Sequence, residues 1–235
     1  LTVLTDISFE NLKPFPAKFL NTNSAETHAT LSLDGRFIYF VSDRSGGYGG
    51  KDIYRIALLP DGTWSKAMNL GPTINSEHDE ESPFIGADGR TLYFSSNGIN
   101  SIGGYDVFVS QLDPLNNWSV PINLGMPINS FGDDLYYSTL ANGSLGVYAS
   151  NRKGGAGNYD IYFVQTKTSY YKNVTIFKGY ISSSNKSNLP DGISIHVKDI
   201  TENSAEKIFK PRLKDGGYIL NLKPCHSYQI EYKVN

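Results

Sequence analysis

The chain has a single cysteine, Cys225, among 235 residues. One thiol forms no internal disulfide and completes no paired metal-ligand motif, so a disulfide scaffold is excluded and the redox compartment stays open. Charge of either sign is also scarce. Against 21 Lys and Arg stand 23 Asp and Glu, for a net charge of −2 and a pI near 6.1. This leaves no basic field for nucleic acid. No apolar run approaches the roughly 18–20 residues that a membrane helix needs. No window holds a 3.6-residue apolar period over about ten residues or more, so helices are not expected. The opening "LTVLTDISFE" lacks the basic start and long apolar core of a signal peptide, which leaves location open.

What the chain has in quantity is glycine (23), proline (11) and tyrosine (16, against 2 Trp). Such usage suits strands joined by turns. The densest glycine stretch is "SGGYGGKDIY", residues 45–54. A phosphate-binding P-loop needs Gly at its first position and Ser or Thr after its lysine. Here Ser45 and Asp52 occupy those places, and the stretch recurs without its lysine as "SIGGYDVF" and "GAGNYDIY". It is read as a connection between strands.

The recurrence has a fixed step of 54 residues. Asp34-Gly35, Asp88-Gly89 and Asn142-Gly143 keep it, as do Asp52, Asp106 and Asp160. Trp64 and Trp118, Asn69 and Asn123, and Asn21, Asn75 and Asn129 keep it too. Each unit reads as four short strands, "THATLSL", "RFIYFVS", "DIYRIALL" and "WSKAMNL" in the first. Asp-Gly between alternating apolar runs is a strong hairpin signal, because the turn needs positive φ. Four antiparallel strands repeated in series describe the blades of a β-propeller, so the expected class is all-β. Tyr39/Phe40, Tyr93/Phe94 and Val147/Tyr148 are the expected packing between blades.

The third unit lacks the W-S-x-x-x-N-L-G module, with Lys172 where Trp would recur, and so should lack a fourth strand. Residues 1–20 read as the outer-strand remnant of a preceding blade, 21–164 as three blades and 165–172 as a linker. Because propellers typically have about 4–8 blades, the chain is expected to be a segment of a longer protein. Beyond the linker the period stops. Alternating runs at 173–180, 193–199, 205–213, 217–222 and 227–234 predict a small β-sandwich over 173–235, itself clipped.

"SLDGRFIYFVSDRSGGYGGKDIY", "GADGRTLYFSSNGINSIGGYDVF" and the matching third stretch resemble WD-like propeller repeats of the TolB type. More narrowly they resemble the OmpA-family outer-membrane-associated proteins of the Bacteroidetes, including the PorE-like group of the type IX secretion system. The resemblance implies that 173–235 is a carboxypeptidase-regulatory-like (transthyretin-like) domain. It implies a periplasmic, outer-membrane-associated location, an outer-membrane or secretion-system partner, and peptidoglycan held by an OmpA-type domain outside this chain. No residue of that domain is present to carry over.

Catalytic candidates are weak. "NGSLG" around Ser144 lacks the first Gly of a nucleophile elbow and sits on a hairpin turn. Adjacent Cys225 and His226 would point to opposite faces of a strand. No catalytic residue, cofactor or metal is assigned. "NSEHDEES", residues 75–82, gathers Glu77, His78, Asp79, Glu80 and Glu81 into one connection with oxygen ligands of the kind calcium takes, but in no EF-hand spacing. Glu26 and Glu80 are repeat-equivalent, as are Asp52, Asp106 and Asp160, and both sets are read as structural.

The expectation is a non-enzymatic interaction scaffold. Its partner would meet the Gly-rich loops and acidic segments on one face, with Tyr48, Glu77, Asp79, Glu80, Glu81 and Tyr105 as candidate contacts. Tyr170 and Tyr171 in the linker are further exposed candidates. The alternatives are a ligand- or calcium-binding, lectin-like propeller and the accessory propeller of a hydrolase.

Overall fold

The computed structural model describes residues 14–17, 19–98, 100–141, 143–165, 175–182, 189–190, 192–211, 216–223 and 225–234. The linker with Tyr170 and Tyr171, Asn142 and most of the N-terminal remnant lie outside them. The described chain is all-β. Strands β1 (Glu26–Leu31), β2 (Phe37–Ser42), β3 (Asp52–Ala57) and β4 (Met68–Asn69) form one antiparallel sheet in chain order. The next sheet holds β5 (Glu80–Ile85), β6 (Thr91–Ser96), β7 (Asp106–Gln111) and β8 (Ile122–Asn123). The third holds β9 (Asp134–Thr139), β10 (Leu145–Ser150) and β11 (Asp160–Gln165), with no fourth strand among the described residues.

Register repeats with the sequence: Glu26 faces Ser42, Glu80 faces Ser96 and Asp134 faces Ser150. The inner hairpins turn at Gly35 (φ 70), Gly89 (φ 66) and Gly143 (φ 67), a backbone that glycine adopts without a Cβ penalty. The outer strand is shorter than expected. Only Met68–Asn69 forms a ladder, and Trp64 contributes an isolated bridge to Leu58. The Trp ring works as a lid, packing with Ala17 and Leu20 over Ile38, Phe40 and Tyr54. Phe15 meets it edge-on at 5.2 Å.

Side chains alternate across each strand, so each sheet offers two apolar faces. Tyr39, Val41 and Ile53 pack on Leu92 and Phe94 of the second sheet, with Ile74 between them. Tyr93, Val107 and Val109 on its other face pack on Tyr137 and Tyr148 of the third, with Ile128 between. The pattern then stops. Val147, an expected core residue, is 42% exposed, and Ile161 and Phe163 beside it are 78% and 77% exposed. No further sheet covers that face among the described residues.

The C-terminal region holds two small sheets. One pairs β12 (Thr175–Tyr180) with β15 (Gly217–Leu222), and the other is β14 (Lys207–Phe209), β13 (Ile193–Asp199) and β16 (Tyr228–Val234) in that spatial order. Leu220 of one packs on Ile195 and Val197 of the other, in a core separate from the three above. The Tyr218 and Tyr232 hydroxyls meet at 2.5 Å.

Candidate functional site

The Gly-rich loops connect the second and third strands of each sheet, and what they bind is the next sheet. Asp52 turns its carboxylate back on its own loop, accepting from the Tyr48 and Gly49 amides and from Asn69 Nδ2. Asp106 and Asp160 do the same in their units. The loop thus shaped reaches forward: Lys51 N–H donates to Asp79 Oδ1 at 3.0 Å, and Glu80 N–H to Lys51 O at 2.8 Å. One repeat on, Tyr105 N–H donates to Asp133 Oδ1, and Asp134 N–H to Tyr105 O. A Cβ at Gly49 would lie 1.9 Å from His78 O, so only glycine permits this approach. The glycines are there for contact between sheets.

Asn75 and Asn129 lock the same junctions from inside. Asn75 Oδ1 accepts from Ile53 N–H at 2.8 Å, and its Nδ2 donates to Ile53 O and Asn69 Oδ1. Asn129 repeats this on Val107 and Asn123.

The acidic segment divides in two. β5 begins at Glu80, so Glu80 and Glu81 belong to a strand and not to the connection, and both are buried. Glu77 is exposed, with 79% of its side chain in solvent, and Tyr48 is half-exposed. Asp79 is held between the Lys51 amide and the Tyr105 hydroxyl, whose pKa is pushed up by burial and by that carboxylate. Glu80 accepts from Ser76 N–H, Ser76 Oγ and Ser96 Oγ. Its equivalents Glu26 and Asp134 each add an arginine, Arg44 and Arg152. Both guanidiniums also lie over aromatic rings, Arg44 on Tyr54 at 4.8 Å and Arg152 on Tyr162 at 4.7 Å. The position equivalent to them in the second unit is Gly98.

Without that cation, burial raises the Glu80 pKa above its ordinary 4.5. Stability tied to such a group is present below the unfolded value near 4.5 and is lost as pH rises through the raised folded value. Gln has no proton to lose and can still bond Ser76 and Ser96. Glu80→Gln is therefore expected to leave Tm near pH 4 unchanged and to raise it at pH 8 by a few degrees. Thermal unfolding of both proteins across that range checks it.

Glu81 shows the opposite balance. Burial would raise its pKa, but hydrogen bonds from His28 and Lys51 outweigh burial and hold it below 4.5. Lys51 Nζ sits 2.5 Å from Oε1, and His28 Nδ1 contacts Oε2. His28 Nε2 in turn faces the Tyr136 hydroxyl at 3.3 Å, the two rings meeting edge-on.

This cluster edges an open depression of about 210 Å³ lined by His28, Thr30, Ser82, Phe84, Tyr136 and Ser138 together with their strand neighbours. It forms where β1, β5 and β9 converge. Each strand breaks register there, between Thr27 and Thr30, between Glu81 and Phe84, and opposite Val147–Ala149. Two residues then face one across the ladder, a β-bulge that re-aims side chains. His28 (φ 47), Ser82 (φ 51) and Tyr136 (φ 59) open the bulges in left-handed backbone, at a cost of about 1–2 kcal/mol each for a residue with a Cβ.

The sequence reading did not single out these three residues, although they share the 54-residue step. Pro83 was the available signal, since proline inside a strand marks an edge or a bulge.

One group in the C-terminal sheets has metal-ligand character. Asp199, Glu202 and His226 bring ligand atoms within 4.8 Å of one another. His226 Nδ1 already bonds Asp199 Oδ2 at 2.8 Å, and the Lys223 ammonium sits on Glu202 where a cation would be drawn. Cys225 is exposed and precedes β16.

No family model matches the chain, and no curated protein matches it. No helix among the described residues is long and apolar enough to cross a membrane, which says nothing of β-barrels.

Proposed function

We propose that the chain is a non-enzymatic interaction scaffold in which the three repeat sheets are consecutive blades of a TolB-type β-propeller. The observation that carries this reading is the junction that repeats from sheet to sheet. Gly-rich loop, buried Asn and the aspartate just before the inner strand are bonded the same way at successive junctions, so the loops at that edge are fixed relative to one another. Loops on a rigid frame are where binding concentrates. Exposed Tyr48 and Glu77 offer side chains there at no cost to the core.

By its resemblance, the protein works in the periplasm, joining an outer-membrane or secretion-system partner to the cell wall through an OmpA-type domain outside this chain. The region 173–235 would then be a carboxypeptidase-regulatory-like spacer. Affinity capture from outer-membrane extract tests the reading, with a Tyr48→Ala/Glu77→Ala double variant as control. The expected result is one defined partner, reduced at least tenfold by the variant. Equal recovery by both proteins, or cell-wall material alone, overturns it. Glu80 and Glu81 are unsuited to this test, because their burial would confuse a lost contact with a disturbed fold.

A further inference from the structure

We infer that the depression where the three inner strands converge is a binding site for a neutral sugar unit, with His28, Ser82 and Tyr136 as its polar contacts. Left-handed backbone at these positions could be met by glycine, which serves at nine such places among the described residues, including Gly35, Gly71, Gly89 and Gly125. Among the described residues six non-glycine ones take this conformation: Asn116 and Asn203, Cys225, and the three repeat-equivalent residues His28, Ser82 and Tyr136. Asn and His tolerate it best, so Ser82 and Tyr136 are the least expected of the three. A merely structural bulge has no need of three different hydrogen-bonding side chains. All three line one depression.

A second observation is independent of the backbone. Ser82 lines the depression, and its Oγ is buried with no hydrogen-bond partner among the described residues. The residue is only 5% exposed, and a buried hydroxyl left unpaired calls for a partner that is absent.

The class of ligand follows from the groups that converge. His28 Nδ1 faces the Glu81 carboxylate, and its Nε2 stands beside the Tyr136 hydroxyl, where a ligand hydroxyl can meet it. The Tyr136, Ser82, Thr30 and Ser138 hydroxyls can both donate and accept. The Tyr136 ring, 50% exposed, adds apolar surface. Among the described residues the carboxylate beside the site, Glu81, is already paired with Lys51 and His28, which leaves it little pull on a cation. Mixed hydroxyls with an aromatic wall suit a polyhydroxylated ring. At about 210 Å³ the volume falls below the roughly 300 Å³ where drug-sized pockets begin, which limits the ligand to about one sugar unit. The Tyr136–His28 contact, at 3.3 Å, is long enough to yield to a ligand hydroxyl.

The test uses the full chain with glucose, mannose and N-acetylglucosamine, followed by saturation-transfer NMR and thermal shift. Millimolar binding of at least one sugar is expected. Ser82→Gly and Tyr136→Gly should each weaken it at least tenfold without lowering Tm, because glycine relaxes the left-handed backbone while removing the contact. Tyr136→Phe, which keeps the ring and loses the hydroxyl, separates hydrogen bonding from packing and should also weaken binding. Absence of binding by all three sugars, undiminished affinity in the variants, or preference for acetate or phosphate over every sugar overturns the assignment. The loop variants used for partner capture leave this depression intact, so the two tests fail separately.

Discussion

Ile53→Ala is expected to cost about 2–5 kcal/mol, while Ile161→Ala should stay within about 0.5 kcal/mol. The two residues are repeat-equivalent, pair in the same register within their sheets and differ in what covers them. Ile53 is 0% exposed beneath the second sheet, and Val107, the equivalent residue there, is 0% exposed beneath the third. Ile161 is 78% exposed. Removing a buried side chain forfeits its transfer free energy and leaves a cavity, whereas removing one already in water does neither. Chemical denaturation of the two alanine variants measures the difference directly. A loss at Ile161 comparable to that at Ile53 would mean that its face is covered in solution. Phe163, 77% exposed on the same face, provides a second reading through Phe163→Ala.

Asn75→Ala should destabilise by about 2–4 kcal/mol, although no charge and little apolar surface are lost. The Asn75 side chain is 1% exposed and makes three hydrogen bonds. Without it the Ile53 N–H is stranded in the interior, and an unsatisfied buried donor costs its full desolvation. Ile53 O retains the Leu70 N–H at 3.1 Å, which limits the damage on that side. Asn129→Ala should behave alike, since Asn129 holds Val107 in the same way. Because the two junctions share no partner, the double variant should lose the sum of the single losses. A near-neutral result for Asn75→Ala, by denaturant midpoint, would show that water or a neighbour replaces the side chain and that the junction is not locked by it.

Much of the fold was legible because the repeat is exact in step. Once Asp34-Gly35 and Asp88-Gly89 are aligned, the hairpins and the roles of Asp52 and Asp106 follow from turn chemistry. The third unit lacks the Trp module, and its sheet has no fourth strand among the described residues. Legibility ended where pattern and packing part company. "NSEHDEES" reads as one polar connection, because a run of acids carries no mark of where a strand begins. Only the pairing of Glu80 with Ser96 shows that the last two acids lie inside. The short outer strand was overestimated because Trp64 looks like a strand residue while serving mainly as a lid.

The sugar site was not legible for a related reason. A bulge shifts alternation by one residue, and a shift of one is lost among short runs such as "THATLSL". His28, Ser82 and Tyr136 stand 54 residues apart in order and differ in type, so no local motif joins them.

The sequence by itself determined the period, the hairpin turns, the all-β class and the change of rhythm after the repeats, because these depend on neighbours close along the chain and on backbone conformations that few residues adopt. Tertiary structure decided which acids are buried, which face of the third sheet no described residue covers, and that three inner strands meet around a serine with no hydrogen-bond partner among the described residues. Those are questions of what lies across a gap between sheets, and no periodicity within one strand contains that distance.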